Sequence, residues 1–136
     1  MTISAATPYL IVGGKSERAI ALYQAAFGAE VTRLQRFGDM NQDCPEAEKH
    51  RVMHAELAFG GATIMLSDGN AEMPPPGGVV RIALNLDDPD QAKKCFDVLA
   101  ESGQAIHPLF DAPWGALFGV VQDELGVNWM FNCTKP

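Results

Sequence analysis

The sequence predicts an α+β fold in which one β-α-β-β-β module occurs twice. Strand-like alternation and amphipathic helical periodicity follow one another in the same order in both halves of the chain. Between the halves lies NAEMPPPGG (70–78), whose three prolines and two glycines are typical of a linker. TPYLIVGG also aligns with RIALNLDD at a spacing of 74 residues, and GATIMLS aligns with GVNWMFN at a spacing of 65. We therefore expect a single domain over 1–136, with module 1 at 5–69 and module 2 at 79–134.

The first module begins with a strand and a helix. TPYLIVGG (7–14) is a short apolar run that ends in glycines, which predicts a strand followed by a turn. SERAIALYQAAFG (16–28) places its apolar residues at helical spacing. We expect Ser16 to be the N-cap of this helix and Gly28 its C-cap.

Three further strands complete the first module. They are AEVTRLQRFG (29–38), RVMHAELAF (51–59) and ATIMLSD (62–68). The polar stretch that starts at 39 and ends at 50 predicts a loop. The pair Gly60-Gly61 lies between the last two strands and indicates a hairpin.

The second module repeats the pattern. VVRIALNL (79–86) predicts a strand, and DDPDQAKKCFDVLAESG (87–103) predicts a helix that begins near Asp88 and ends at Gly103. The remaining predicted strands are QAIHPLF (104–110), LFGVVQD (117–123) and GVNWMFN (126–132).

Composition excludes several classes of function. The chain has 136 residues, a net charge of −7 and only ten Lys and Arg, which argues against binding to nucleic acid or to an anionic membrane surface. No apolar run is long enough to span a bilayer, and the N-terminus lacks the charged region of a signal peptide, so we expect a cytoplasmic protein. Three cysteines without a CxxC motif fit a reducing compartment. Cys95 is expected to pack on a helix face, and Cys44 or Cys133 is a candidate reactive thiol.

Alternation gives each strand an apolar face and a mixed face. The mixed faces are predicted to carry Thr7, Tyr9, Ile11, His54, Glu56, Ala58, Thr63, Met65, Ser67, Arg81, Ala83, Asn85, Asn128, Met130 and Asn132. Too many of these side chains are apolar for a simply solvated surface, although that alternative stays open. We therefore expect the mixed faces to line a ligand cavity, and a repeated module favours a site between its two copies.

The long segments of both modules resemble the vicinal oxygen chelate superfamily of glyoxalases, bleomycin-resistance proteins and dioxygenases. IVGGKSERAIALYQAAFGAEV, RIALNLDDPDQAKKCFDVLAESG and DELGVNWMF carry this resemblance. RFGDM, MHAELAFGGATIMLSDG and PWGALFGVVQDELGVNWMFN resemble its PhnB-like branch, often labelled as a 3-demethylubiquinone-9 3-methyltransferase domain. The resemblance implies a curved eight-stranded mixed sheet around a cavity, with the helices on its outer face, in a homodimer.

The resemblance also implies four positions at which the metalloenzymes of the superfamily hold a divalent cation with His, Glu, His or Gln, and Glu. In this sequence the positions are Thr7, Met65, Arg81 and Met130. Mg²⁺, Mn²⁺ and Fe²⁺ prefer oxygen or imidazole ligands, and a guanidinium repels a cation. We therefore expect no cofactor, unless a divalent metal binds at a relocated site.

Other residues are better candidates for function. Arg81 could bind an anion, unless it is paired with a nearby carboxylate such as Glu56. His54 and Glu56 share a strand face and could form a catalytic acid–base pair, a structural pair, or part of a relocated metal site. Trp114 could cap the cavity or pack at a dimer contact. Tyr9, Met65, Ser67, Asn85, Asn128, Met130 and Thr7 are expected to line the ligand site with Arg81 and Trp114, whereas His50 and His107 are expected at the surface.

Three functional hypotheses follow. The first is a metal-free protein that binds a small anionic or aromatic molecule. The second is an enzyme of lyase, isomerase or dioxygenase type, with a relocated metal or the His54/Glu56 pair. The third is a structural or regulatory partner. Methyl transfer from S-adenosylmethionine is not expected, because the sequence lacks a glycine-rich loop after its first strand, and no GxSxG motif indicates a nucleophilic triad.

Overall fold

Two compact units make up the chain, Met1–Pro74 and Pro75–Pro136. The computed structural model describes residue 5 and residues 7–40, 43–69 and 81–134. The predicted linker at 70–78 and the first two residues of the predicted strand 79–86 lie outside these ranges. The α+β class and the doubled β-α-β-β-β order are confirmed, and the eight strands found within the described ranges form two four-stranded sheets, one in each unit.

The first unit is a mixed sheet with one long helix. Its elements are β1 (Tyr9–Ile11), α1 (Ser16–Phe27), β2 (Glu30–Arg36), α2 (Phe37–Met40), a 3₁₀ helix (Glu46–Glu48), β3 (Val52–Phe59) and β4 (Ala62–Ser67). The strand order is β1-β4-β3-β2. β1 runs parallel to β4, and the other neighbours are antiparallel. Leu57, Ile64 and Leu66 are buried on one face of this sheet.

The two ends of α1 are capped differently from each other. Gly28 adopts a left-handed conformation, with φ of 66°, and donates its N–H to the carbonyl of Gln24, so the predicted C-cap is confirmed. The predicted N-cap at Ser16 is wrong, because Lys15 holds the cap position and Ser16 begins the helix. Asp68, at the end of β4, supplies the missing acceptor and binds the Ser16 N–H at 2.8 Å.

The strand predicted over 29–38 ends earlier, at Arg36, and part of the predicted polar loop is helical. The cause is local, because the carboxylate of Asp39 accepts the backbone N–H of Arg36 at 3.0 Å. Phe37 and Gly38 then donate their N–H groups to the carbonyls of Arg51 and Lys49, which starts the short helix α2 there.

The second unit repeats this architecture. Its elements are β5 (Ile82–Leu86), α3 (Pro89–Ser102), β6 (Gln104–Asp111), β7 (Ala116–Gln122) and β8 (Asn128–Thr134), with the strand order β5-β8-β7-β6. Asp88, near which the helix was predicted to begin, is the N-cap of α3, and its carboxylate accepts the N–H groups of Asp90 and Gln91. The buried rings of Phe96 on α3 and Phe131 on β8 meet edge to face at 5.4 Å.

Strand register confirms the internal repeat. Tyr9 lies opposite Met65 in the first unit, and Ala83 lies opposite Met130 in the second, which preserves both sequence spacings. On the other side of each methionine stands a second partner, Glu56 in the first unit and Val120 in the second. At these equivalent positions the first sheet has polar side chains, Tyr9 and Glu56, and the second sheet has apolar ones, Ala83 and Val120.

None of the helices within the described ranges combines the length and the apolar character needed to cross a membrane.

Candidate functional site

Four polar side chains form a connected chain on the mixed face of the first unit. The hydroxyl oxygen of Tyr9 lies 2.9 Å from Nδ1 of His54. Nε2 of His54 lies 3.6 Å from Oε2 of Glu56, and the same oxygen lies 4.0 Å from Nε of Arg33. We call Tyr9, His54, Glu56 and Arg33 the polar chain.

The sheet register positions the polar chain. Tyr9, Met65, Glu56 and Arg33 are successive partners on β1, β4, β3 and β2, so they form one row across the sheet. His54 lies two residues before Glu56 and therefore on the same face, as predicted. The hydrogen bond to Tyr9 was not predicted, because it joins two strands that are not neighbours.

Exposure distinguishes the members of the polar chain. Tyr9 is 46% exposed. The side chains of His54 and Glu56 are 21% and 23% exposed. In one tautomer of the neutral imidazole, Nδ1 accepts the Tyr9 hydroxyl proton, and Nε2 carries the proton that faces Glu56. Tyr9 and Arg33, whose side chain is 59% exposed, are thus the two open ends of the polar chain, and Glu56 already has two partners within its own unit.

The mixed face of the second unit has a polar end and an apolar middle. Arg81 is exposed just before β5, and Oδ1 of Asn128 accepts a hydrogen bond from Nε2 of Gln122 at 3.3 Å. Half-buried Met130 lies between Ala83 and Val120 in the sheet. The apolar side chains of Ala83, Met130 and Val120 therefore lie next to the polar end of this face.

An aromatic cluster occupies the other end of this face. His107, Phe110 and Trp114 each contact the ring of Phe118 edge to face, with ring centroids 5.4 to 6.3 Å apart, and His107 also stacks on Phe110. Trp114, in the turn between β6 and β7, donates its indole N–H to Oδ1 of Asn132 at 3.1 Å. Trp114 is 60% exposed. The aromatic cluster is defined as His107, Phe110, Trp114 and Phe118.

The sequence predicted Trp114 but missed the other rings of this cluster. His107 is exposed, as expected, yet it packs against two phenylalanines. Phe110 follows two register shifts in the pairing of β6 with β7, so simple alternation could not place it. Phe118 could have been placed on this face from the sequence, because it is adjacent to Leu117 on β7 and neighbouring strand residues point to opposite faces.

The other residues predicted to line a ligand site differ in exposure. Thr7 and Asn85 are exposed, and Met65 is half-buried. Ser67 is buried, and its hydroxyl accepts the N–H of Gly69 at 3.0 Å. Ser67 is therefore engaged in the structure of the turn after β4.

The four positions of the superfamily's metal site do not fit a divalent cation. They supply an exposed hydroxyl at Thr7, an exposed guanidinium at Arg81 and two half-buried thioethers at Met65 and Met130. Hard cations bind none of these groups well. Over 5, 7–40, 43–69 and 81–134, no three His, Cys, Asp or Glu residues are grouped so that they could hold a metal ion.

The three cysteines are free and differ in environment. Cys95 packs on α3 as predicted, and burial raises the pKa of its thiol. Burial raises the pKa of the Cys133 thiol as well, helped by the negative charges of Asp87 and Asp88, which is unfavourable for a reactive thiol. Cys44 is half-buried. A cavity of about 290 Å³ is lined by Phe37, Cys44, Pro45, Glu48 and Arg51.

Comparison with known proteins supports one family. The profile of the Glyoxalase/Bleomycin resistance protein/Dioxygenase superfamily matches residues 6–131. Protein YjdN of Escherichia coli (strain K12) is 30% identical over 139 residues, which cover 95% of each chain. The crystal structure of protein PA1353 from Pseudomonas aeruginosa is 32% identical, with a TM-score of 0.85 over 98% of this chain and 100% of that one.

A second solved structure shows the fold alone. The putative 3-demethylubiquinone-9 3-methyltransferase, PhnB protein, from Bacillus cereus is 23% identical, with a TM-score of 0.77 over 96% of this chain and 100% of that one. The profile match, the relatives and the doubled β-α-β-β-β order agree with one another. The chain belongs to the Glyoxalase/Bleomycin resistance protein/Dioxygenase superfamily.

Proposed function

We propose that this protein binds a small aromatic anion along the mixed face of its second unit. The observation that carries the proposal is Trp114, whose large ring is 60% exposed and yet held in place. Asn132 accepts the indole N–H, and Phe118 meets the indole edge to face at 5.4 Å. An exposed aromatic ring that is already fixed loses little conformational freedom when a planar ligand stacks on it.

The opposite end of the same face favours an anion. Arg81 and Asn85 lie four residues apart on one face, which corresponds to about 13 Å along an extended strand. Asn85 lies opposite Asn132, the residue that holds Trp114. A guanidinium can therefore bind a carboxylate or phosphate at one end while the aromatic ring of the ligand stacks at the other end.

The middle of this face suits the body of such a ligand. Ala83, Met130 and Val120 follow one another across β5, β8 and β7. Ala83 is exposed and Met130 is half-buried, so these two side chains offer apolar surface, whereas Val120 is buried beside them. Methionine adapts its shape to irregular ligands. The arrangement favours an elongated molecule with a planar ring at one end and a negative charge at the other.

Naphthyl-alkanoates of increasing chain length test the proposal by isothermal titration calorimetry. We expect saturable binding that is at least about tenfold tighter than that of the matching neutral naphthyl-alkanamides. Arg81→Ala should remove this preference for the charged ligand, and Trp114→Ala should weaken both series about tenfold or more. Lys94→Ala, on the exposed side of α3, is a matched loss of positive charge and should leave binding unchanged. The proposal would be refuted if the wild-type protein showed no saturable binding. It would also be refuted if Arg81→Ala and Trp114→Ala bound the naphthyl-alkanoates as tightly as the wild-type protein does.

A further inference from the structure

The polar chain of the first unit has an arrangement that the sheet itself does not require. In the second unit, Ala83 and Val120 hold the positions of Tyr9 and Glu56, each beside the equivalent methionine. Phe118, two residues before Val120, holds the position of His54. The same strand order therefore forms with apolar residues at all three places, so a purely structural need for Tyr9, His54 and Glu56 is not supported.

The three side chains share one chemical property. A phenol, an imidazole and a carboxylate all donate or accept protons, and here each is within reach of the next, at 2.9 Å and 3.6 Å. The group at one end, Tyr9, is open to solvent, whereas the imidazole and the carboxylate behind it are largely covered. This order matches a reacting group, a base and an orienting carboxylate.

We propose that Tyr9, His54 and Glu56 form an acid–base site that enolises a small carbonyl compound. These three side chains are proton donors and acceptors, and none of them is a cysteine or serine nucleophile, which favours this class of reaction. For a carbonyl compound with a C–H bond next to the carbonyl group, proton transfer is the complete reaction. The inference concerns the first unit and is independent of the aromatic anion proposed for the second.

The contacts between the three side chains provide a path for the proton that leaves the substrate. The C–H bond beside the carbonyl breaks, and its proton forms a new O–H bond with the Tyr9 oxygen. The original phenol proton passes to Nδ1 of His54, which leaves an enolate and an imidazolium. Glu56 faces the other ring nitrogen and stabilises the imidazolium charge. Return of the protons along the same path completes an exchange or an isomerisation.

Exchange with deuterium tests this site without knowledge of the natural substrate. The probes are hydroxyacetone, pyruvate and oxaloacetate, each incubated with the full chain in deuterium oxide while loss of the C–H signal is followed by proton NMR. We expect the wild-type protein to exceed an equal concentration of free imidazole by about 100-fold or more for at least one probe. A rate no faster than imidazole for all three probes would overturn the proposal.

Single substitutions test the role of each of the three side chains in proton exchange. Tyr9→Phe removes the reacting hydroxyl and keeps the ring, so we expect at least a tenfold loss of exchange, and a smaller loss would overturn the role of Tyr9. His54→Gln should lose exchange to a similar extent. Glu56→Gln should lower kcat with KM unchanged, which a general loosening of the site would not do. His50→Gln is the matched control, because His50 is an exposed histidine outside the polar chain.

Discussion

Asp123 is the residue whose removal should damage the second unit most specifically. It is 3% exposed and stands in the turn between β7 and β8. Its carboxylate accepts the backbone N–H groups of Leu125 and Val127 at 2.9 and 3.0 Å and the indole N–H of fully buried Trp129 at 2.9 Å. Asp123→Ala would leave all three donors without this acceptor.

The expected loss follows from these three hydrogen bonds. An orphaned buried donor costs about 1–3 kcal/mol, and two of the three donors belong to buried residues, Leu125 and Trp129. The half-buried N–H of Val127 can bind water instead. We therefore expect Asp123→Ala to lower the free energy of unfolding by about 2–6 kcal/mol. Asp123→Asn keeps one acceptor oxygen and should cost about 1–2 kcal/mol, because its amide N–H₂ competes with one of the donors.

Urea unfolding followed by circular dichroism measures the loss. With a slope of about 1–2 kcal/mol per molar urea, Asp123→Ala should lower the midpoint by about 1 M or more. Trp129→Phe removes the indole N–H while keeping a ring. In a double-mutant cycle, Asp123→Asn and Trp129→Phe should show a coupling free energy of about 1 kcal/mol.

Two results would refute this reasoning. The first is a loss below about 1 kcal/mol in Asp123→Ala, which would mean that water replaces the carboxylate at little cost. The second is strict additivity in the cycle, which would mean that the Asp123–Trp129 hydrogen bond contributes nothing of its own.

Three further predictions concern stability and reactivity. Ser16→Ala should raise the free energy of unfolding by about 1 kcal/mol in urea titration, because its buried hydroxyl has no hydrogen-bond partner among the described residues. Gly69→Ala should lower it by about 2 kcal/mol, since φ is +67° and the new Cβ would lie 2.7 Å from a β1 side chain. With iodoacetamide near pH 8, mass spectrometry should find Cys44 alkylated before Cys95 and Cys133, whose raised pKa values lower their thiolate fraction until the pH rises.

Local signals in the sequence were enough for much of the fold. Gly28 and Asp88 act on residues within one helical turn of themselves, so their caps could be predicted without knowledge of distant parts of the chain. The hydrogen bond at the N-terminus of α1 could not be predicted in this way, because the acceptor for the Ser16 N–H is Asp68, which lies far along the sequence. Short-range reasoning fails where a residue from another strand supplies the hydrogen bond.

In the candidate sites, too, contacts within one strand could be predicted from the sequence and contacts between distant strands could not. Face alternation correctly grouped His54 with Glu56, because both are on one strand. It could not join Tyr9 to His54, since that contact depends on strand order and on side chains that reach past β4. The aromatic cluster was hidden for another reason, because the register shifts of β6 move Phe110 out of simple alternation.

The matched positions of the two sheets suggest how a duplicated module can diversify. Once one copy maintains a reaction or a fold, the other copy is free to change the same three places without altering its strand pairing. The polar triplet Tyr9, His54 and Glu56 corresponds to Ala83, Phe118 and Val120. Three substitutions would place the same side chains at the matched positions of the second sheet, where Val120, unlike Glu56, is buried, so the second copy is a scaffold for engineering in which the carboxylate would be the most shielded member.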